Sequence, residues 1–204
     1  MTKTNSPLLH QKHTAMKIRI LDTAREIMRK EGVAALSMQE LSRRMNMRAP
    51  SLYNYFASKA EIYDALFQFG FQHFDEHINQ LMLSGDNWQN DLSIIMEGYM
   101  TFAIQNPELY QLCFERPVPG FVPSEESLQL SFGNLHRYYD YVRNWLPQLN
   151  TEQNEQQLTD LLIAIMHGMT ALHLANQPGL PVGEGRFGSL TPAVITLLSK
   201  AWAK

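Results

Sequence analysis

Apolar residues return at helical intervals along nearly the whole chain, and nowhere do they alternate at the interval of two that a half-buried strand requires. That pattern confines the chain to all-α architectures. Ile20, Leu21, Ala24, Ile27 and Met28 mark one face of a first helix, which Gly32 stops. Ser37 and Glu40 form a capping box ahead of a short second helix with Leu41 and Met45 inward. Asn46 stands where a left-handed turn residue is wanted. Pro50 suits the first turn of a third helix running to about Tyr55. Ser58 and Glu61 form a second capping box, opening a long helix toward Leu83, with Ser84-Gly85-Asp86 as its breaker. Further helices start at Asp86 or Asn87, after Asn106-Pro107, at Ser124, at Thr151 and at Thr191-Pro192. Residues 116–123 read as a proline-rich loop, and residues 178–190 as a glycine-rich mobile one. The sum is about nine helices, three short ones followed by a bundle.

Charge divides the chain in the same place. Residues 1–60 hold eleven lysines and arginines against Asp22, Glu26, Glu31 and Glu40, while the rest holds six bases and sixteen acids. A basic front on an acidic body suits a polyanionic partner. The single cysteine, Cys113, allows no intrachain disulfide, which fits a reducing compartment. Residues 1–15 lack the apolar run of a secretory signal. The most apolar stretch, Leu158 to Leu174, is interrupted by Asp160, His167 and His173 and falls short of the ~20 residues a span needs. A cytoplasmic protein is expected.

The second and third helices with their tight turn make a helix-turn-helix, whose second helix enters the major groove N-terminus first. Leu52 and Phe56 would face inward; Ser51, Tyr53, Asn54 and Tyr55 would face out. A tyrosine ring packs on a thymine methyl or a sugar, and its hydroxyl bonds a phosphate oxygen. The blander alternatives are that both tyrosines pack within the small front domain, and that Arg43 and Arg44 lie on a solvated face.

The stretch IRILDTAREIMRKEGVAALSMQELSRRMNMRAPSLYNYFASKAEIYDALF, Ile18 to Phe67, resembles the TetR family of transcriptional regulators. The core of the likeness is Leu52-Tyr53, Tyr55-Phe56 and Lys59. Asn46 replaces the family's usual glycine, and Arg48 its usual serine or threonine. Phe102 to Phe114 (FAIQNPELYQLCF) and Met166-His167-Gly168 resemble the branch with a Trp-His-Gly signature, with Met in place of Trp. The resemblance implies a homodimer on a palindromic double-stranded operator, and a body that binds a small-molecule effector and often represses. By matching positions it places Arg48, Ala49, Pro50, Ser51, Tyr53 and Asn54 at base edges. Ser37, Arg43, Arg44, Tyr55 and Lys59 would hold phosphates.

The expected organisation is a flexible tail over 1–14, the DNA-binding domain over 15–62, and a helical effector-binding and dimerisation domain over 63–204. The helix Leu158 to Ala175 is apolar almost all round and must be covered on every side. Leu158, Leu162, Ile165, Met166, Met169 and Leu172, with Val194, Leu198 and Trp202 of the last helix, suit a four-helix dimer interface, or else a buried core. Met96, Tyr99, Met100, Phe102, Tyr110, Phe114, Tyr138, Tyr141 and Trp145 suit an effector pocket, although a core explains most of them equally well.

No catalytic motif and no cofactor site stands out, so an enzyme is not expected. One rival is a metal-binding enzyme or sensor using His73 and His77, an i, i+4 pair with no obvious third ligand; on balance no metal is expected. The other is a helical protein-interaction module without DNA binding.

Overall fold

The computed structural model describes residues 7–202. Among them every regular element is helical: α1 (Pro7–Glu31), α2 (Met38–Arg44), α3 (Ala49–Leu52), α4 (Lys59–Asn79), α5 (Trp88–Gln105), α6 (Pro107–Tyr110), α7 (Glu125–Trp145), α8 (Glu155–Asn176), α9 (Gly185–Gly188) and α10 (Thr191–Ala201). Short 3-10 turns follow α1 and α7, and a π-type turn, Gln111–Glu115, follows α6.

Two compact units result, Met1–Gly70 with Glu108–Ser127, and Phe71–Pro107 with Leu128–Lys204. This division by contacts is interleaved, whereas the sequence reading set one boundary after residue 62. Its cause is a set of long-range polar contacts that hold residues 108–127 in the first unit. The Glu108 side chain has no exposure and accepts hydrogen bonds from Arg25 and Arg29 of α1 at 2.9–3.0 Å. Asp64 accepts from the Ser124 amide at 2.7 Å and from the Ser124 and Ser127 hydroxyls at 2.8 Å each. The buried Cys113 thiol lies 3.7 Å from the Phe67 carbonyl, and burial pushes its pKa well up.

The first unit is built on Ile20, Ala24, Ile27, Leu41, Leu52 and Ile62, all fully buried. α1 packs on α2, and α2 on α3. The Tyr63 hydroxyl donates to the Val33 carbonyl at 2.7 Å, and burial raises its pKa. Residues 7–14, expected within a tail, belong to α1; residues 1–6 of that tail lie outside the described residues.

In the second unit α5 packs against α8 and α10, and α9 packs on α8. Asn87 caps α5, accepting from the Asn90 amide at 3.0 Å. Buried Asp91 closes the turn before α5 by accepting from the Ser84 and Gly85 amides at 2.8 Å. The start expected at Thr151 falls instead at Asn154, which forms a full capping box with Gln157. Three residues later than expected, that cap satisfies two amide donors at once. The glycine-rich segment holds α9, and it lies against fully buried His173, whose Nε2 donates to the Leu180 carbonyl at 3.0 Å.

At 22 residues α8 is longer than the apolar stretch Leu158 to Leu174 within it, and by length and composition alone it suffices to cross a membrane. Its Leu158, Leu162, Met166, Met169, Thr170 and His173 are nevertheless buried within the chain.

Candidate nucleic-acid interface

The α2–turn–α3 segment takes the geometry its residues call for. Ser37 caps α2, its hydroxyl accepting from the Glu40 amide at 3.2 Å. Asn46 adopts φ 51°, and the Met47 amide reaches back to the Ser42 carbonyl at 2.9 Å. These two features reverse the chain by a left-handed helix terminus. Arg48 stands in extended conformation ahead of α3, with Pro50 in its first turn.

α3 is shorter than expected and ends at Leu52, not near Tyr55. Helix-like bonding continues past it, because the Tyr55 and Phe56 amides both donate to the Leu52 carbonyl, at 2.9 and 3.2 Å. One carbonyl serving two amides tightens the chain into a turn and aims the ring of Phe56 inward. Leu52 and Phe56 are buried, while Arg48, Ala49, Pro50, Tyr53 and Asn54 are exposed, and Ser51 and Tyr55 are half-buried. All six residues assigned to base edges thus lie on one continuous stretch, five of them facing solvent.

The residues assigned to phosphates differ among themselves. Lys59 is exposed at the start of α4, its ammonium 5.6 Å from the Tyr63 ring centre. Ser58 caps that helix, and Glu61 reaches back to the Ala57 amide at 2.8 Å. Arg43 and Arg44 are not unpaired bases. Glu40 takes two hydrogen bonds from Arg43, at 2.7 and 2.8 Å, and one from Arg44 at 2.7 Å; Glu31 pairs with Arg44 as well. The capping box expected of Ser37 and Glu40 is half made for that reason: the carboxylate turns to two guanidiniums rather than to a backbone amide. Hydrogen bonds from Arg43 and then Arg44 draw the Glu40 pKa down from 4.5 to about 2, and the same contacts raise both arginines.

A basic stretch of α1 that sequence reasoning passed over completes this surface. The His13 imidazole stacks on Tyr55 with ring centres 4.8 Å apart and planes 27° apart, and the Lys17 ammonium lies 5.2 Å over Phe56. The available signal was a lack of acids, since no carboxylate precedes Asp22.

The residues assigned to an effector pocket are divided between the two units. Tyr110 and Phe114 belong to the first unit, and the other seven residues to the second. Met96, Tyr99, Met100, Phe102, Tyr110 and Trp145 are buried; Phe114, Tyr138 and Tyr141 are half-buried. Within the second unit Phe74 gathers an aromatic cluster, edge-on to Tyr99 at 5.6 Å, Phe102 at 5.0 Å and Tyr138 at 6.3 Å. The Tyr138 hydroxyl is buried with no hydrogen-bond partner among the described residues, and its pKa is raised, first by desolvation and then by Asp75. A separate groove of about 380 Å³ is lined by polar residues of α4 and α7, among them Asp75, Asn134 and Arg137, and by none of the nine.

The residues assigned to a dimer interface differ in their burial within the single chain. Leu158, Leu162, Met166, Met169 and Trp202 are already buried in the single chain, so they are core; Trp202 packs on Trp88 at 5.5 Å. Ile165, Val194 and Leu198 are half-buried and Leu172 is exposed. The outward apolar residues are Leu161, Ile165 and Leu172 on α8 and Leu197 on α10, Leu197 being 65% exposed. A helix of even hydropathy gives no hint in sequence of which side its own chain will cover.

His73 and His77 do not converge on a site. His77 Nε2 donates to the Gly98 carbonyl at 3.0 Å, and both rings lie against Phe102. No cluster of three or more metal-ligating side chains occurs among the described residues.

Comparison with known proteins places this geometry. Residues 20–66 match the family model described as bacterial regulatory proteins, tetR family. The HTH-type transcriptional regulator Rv1816 of Mycobacterium tuberculosis is 23% identical over 130 residues, which cover 62% of this chain and 56% of that protein. YobS of Bacillus subtilis, an uncharacterized HTH-type transcriptional regulator, is 36% identical over 94 residues, 45% of this chain and 48% of that one. The chain thus spans about half the length of the curated relatives it matches. The crystal structure of the transcriptional regulator FadR from Bacillus subtilis, in complex with stearoyl-CoA, matches with a TM-score of 0.63 at 14% identity over 89% of this chain and 96% of that one. At that identity the likeness is one of fold.

Proposed function

We propose that this chain, a member of the tetR family of bacterial regulatory proteins through its residues 20–66, is a cytoplasmic, sequence-specific regulator of transcription that binds double-stranded DNA. One observation carries the reading. A left-handed turn at Asn46 presents Arg48, Ala49, Pro50, Tyr53 and Asn54 to solvent on a front segment with eleven bases and four acids. Tyr53 and Asn54 meet base edges, and Tyr55 and Lys59 meet phosphates. Arg43 and Arg44 reach phosphates only by exchanging Glu40 and Glu31 for them.

The regulator acts as a homodimer joined through the outward apolar faces of α8 and α10. A two-fold axis sets two recognition segments about one groove turn (~34 Å) or a multiple apart, so the operator is palindromic. Such an interface also accounts for the exposed Leu161, Leu172 and Leu197, which a lone chain leaves in water. A small-molecule effector bound in the second unit releases the operator, and repression is the sign expected. The partnerless Tyr138 hydroxyl beside the Phe74 cluster supports an apolar ligand with one polar group there. FadR, bound to stearoyl-CoA, supports a ligand-holding body on this fold.

The test is selection of bound sequences from a random duplex pool at ~150 mM salt, where non-specific affinity is modest. An inverted repeat among the winners is expected. No enrichment, with binding that vanishes at that salt, would overturn the reading.

A further inference from the structure

We infer that the apolar stripe along α7, from Leu128 to Tyr139, is a contact surface for a second copy of this chain, with Phe132 as its anchor. The inference rests on the proposed homodimer and extends its interface from α8 and α10 to a third helix.

The first argument is the pattern of the helix. Leu128, Phe132, Leu135, Tyr139 and Val142 follow one another at alternating steps of four and three. That spacing keeps an apolar seam on one side of a helix, narrow enough for a single neighbouring helix to cover. The described residues cover only one end of it. Val142 is 4% exposed, Leu128, Leu135 and Tyr139 are half-buried, and Phe132 is 54% exposed. His136 folds back on the same helix, its Nδ1 donating to the Phe132 carbonyl at 2.7 Å and its ring set edge-on to Tyr139 with centres 5.8 Å apart. Phe132, His136 and Tyr139 therefore form one aromatic patch. Scattered apolar side chains in water need no explanation, whereas a contiguous stripe marks a contact.

The second argument is position and area. α7 borders α8: Arg143 donates to Glu155 at 3.0 Å, and the Tyr139 pKa is raised first by desolvation and then by Asp160. The stripe thus adjoins the helix whose Leu161 and Leu172 face outward. A stable dimer buries about 800 Å² on each partner, from about 20–30 residues. The exposed leucines of α8 and α10 supply a small share of that area. An aromatic side chain buries about 150–250 Å² when wholly covered, so Phe132, half open in the single chain, adds about 100 Å² by itself. A two-fold axis presents the same surface on both copies, so the surface must tolerate itself. Leu128, Phe132, Leu135 and Tyr139 carry no charge, and the groups at the end of the stripe, Asp140, Arg143 and Glu155, carry both signs.

The experiment is sedimentation equilibrium of the full chain over a dilution series, with wild type, Phe132→Ala, Phe132→Glu and Asn144→Glu. Phe132→Ala should raise the dimer dissociation constant about tenfold, and Phe132→Glu about a hundredfold. Asn144 is exposed and lies about 140° round α7 from Tyr139, at about 100° per residue, so Asn144→Glu should leave the constant unchanged. Helical content should not move in any of them, since these side chains are exposed. A second readout separates contact from folding. Iodoacetamide should alkylate Phe132→Cys slowly where the chain is dimeric, and fast on dilution or when Leu197→Glu is added; the native Cys113 is buried. An unchanged dissociation constant in both Phe132 variants, with alkylation at one rate across the series and Leu197→Glu still monomeric, would overturn the α7 contact. That result would leave the α8 and α10 dimer standing and the stripe to a different occupant. A wild-type chain that stays monomeric throughout would overturn both.

Discussion

Glu108 offers the sharpest test of what holds the first unit together. Its carboxylate has no solvent exposure and stands between Arg25, 22% exposed, and Arg29, 48% exposed. Truncating one partner of a buried ion pair costs about 3–5 kcal/mol, because the charge left behind is unpaired. Here the groups left behind are arginines that reach water, so Glu108→Ala should cost less, about 2–3 kcal/mol. For a chain of this size 1 kcal/mol moves the melting temperature by about 2–4 °C, which puts the expected drop at about 5–10 °C. Glu108→Gln keeps the volume and an acceptor oxygen and should lose about half as much. Arg29→Ala should lose least, since Arg25 still neutralises the carboxylate and Arg29 is half in water already. Thermal unfolding followed by circular dichroism gives the ranking. Hydrogen exchange should show the loosening in residues 25–31 and 108–115 together, because one carboxylate joins them. A Glu108→Ala melting point within about 2 °C of wild type, or Arg29→Ala falling below it, would refute the reasoning.

Other outcomes follow from single contacts. Glu40, with its pKa drawn down to about 2, adds stability that is complete above its unfolded value near 4.5 and is lost as pH falls through about 2; carboxyl NMR should report that low midpoint, and Arg43→Ala with Arg44→Ala should return it toward 4.5. Gly188→Ala would place a methyl 2.9 Å from the ring of His173, which is fully buried and fixed to the Leu180 carbonyl, so about 1–3 kcal/mol should be lost in a denaturant melt. Leu197→Glu should leave the helical content intact and yield monomers by analytical ultracentrifugation, since Leu197 is 65% exposed in the single chain. Tyr53→Ala and Lys59→Ala should each weaken DNA binding without loss of helicity, and Lys59→Ala should flatten the salt slope by about one unit.

Local chemistry carried the front of the molecule. Asn46 tolerates φ near 51° because its short polar side chain costs little there, and Pro50 lacks the amide that a helix start leaves unbonded. Leu52 and Phe56 are four residues apart, so one face of one turn buries both. Those rules act over a few residues, and the sequence by itself therefore determined the all-helical class, the turn and the outward stretch from Arg48 to Asn54. Even there it missed competition between partners: Glu40 had a free amide to cap and two guanidiniums to bond, and the charged donors won.

What the sequence could not decide depended on residues far apart in the chain. Glu108 meets Arg25 and Arg29 across 83 and 79 positions, and Ser124 meets Asp64 across 60, so residues 108–127 join the first unit although a cut after residue 62 looked natural. His13 meets Tyr55 only because α1 is laid beside the turn after α3. On α8, apolar almost all round, hydropathy is the same on every side; only packing within the second unit chose Leu158, Leu162 and Met166 for the core and left Leu161 and Leu172 outside. Burial of apolar area is non-directional, so a pattern states how much of a helix must be covered, and the tertiary structure alone states what covers it.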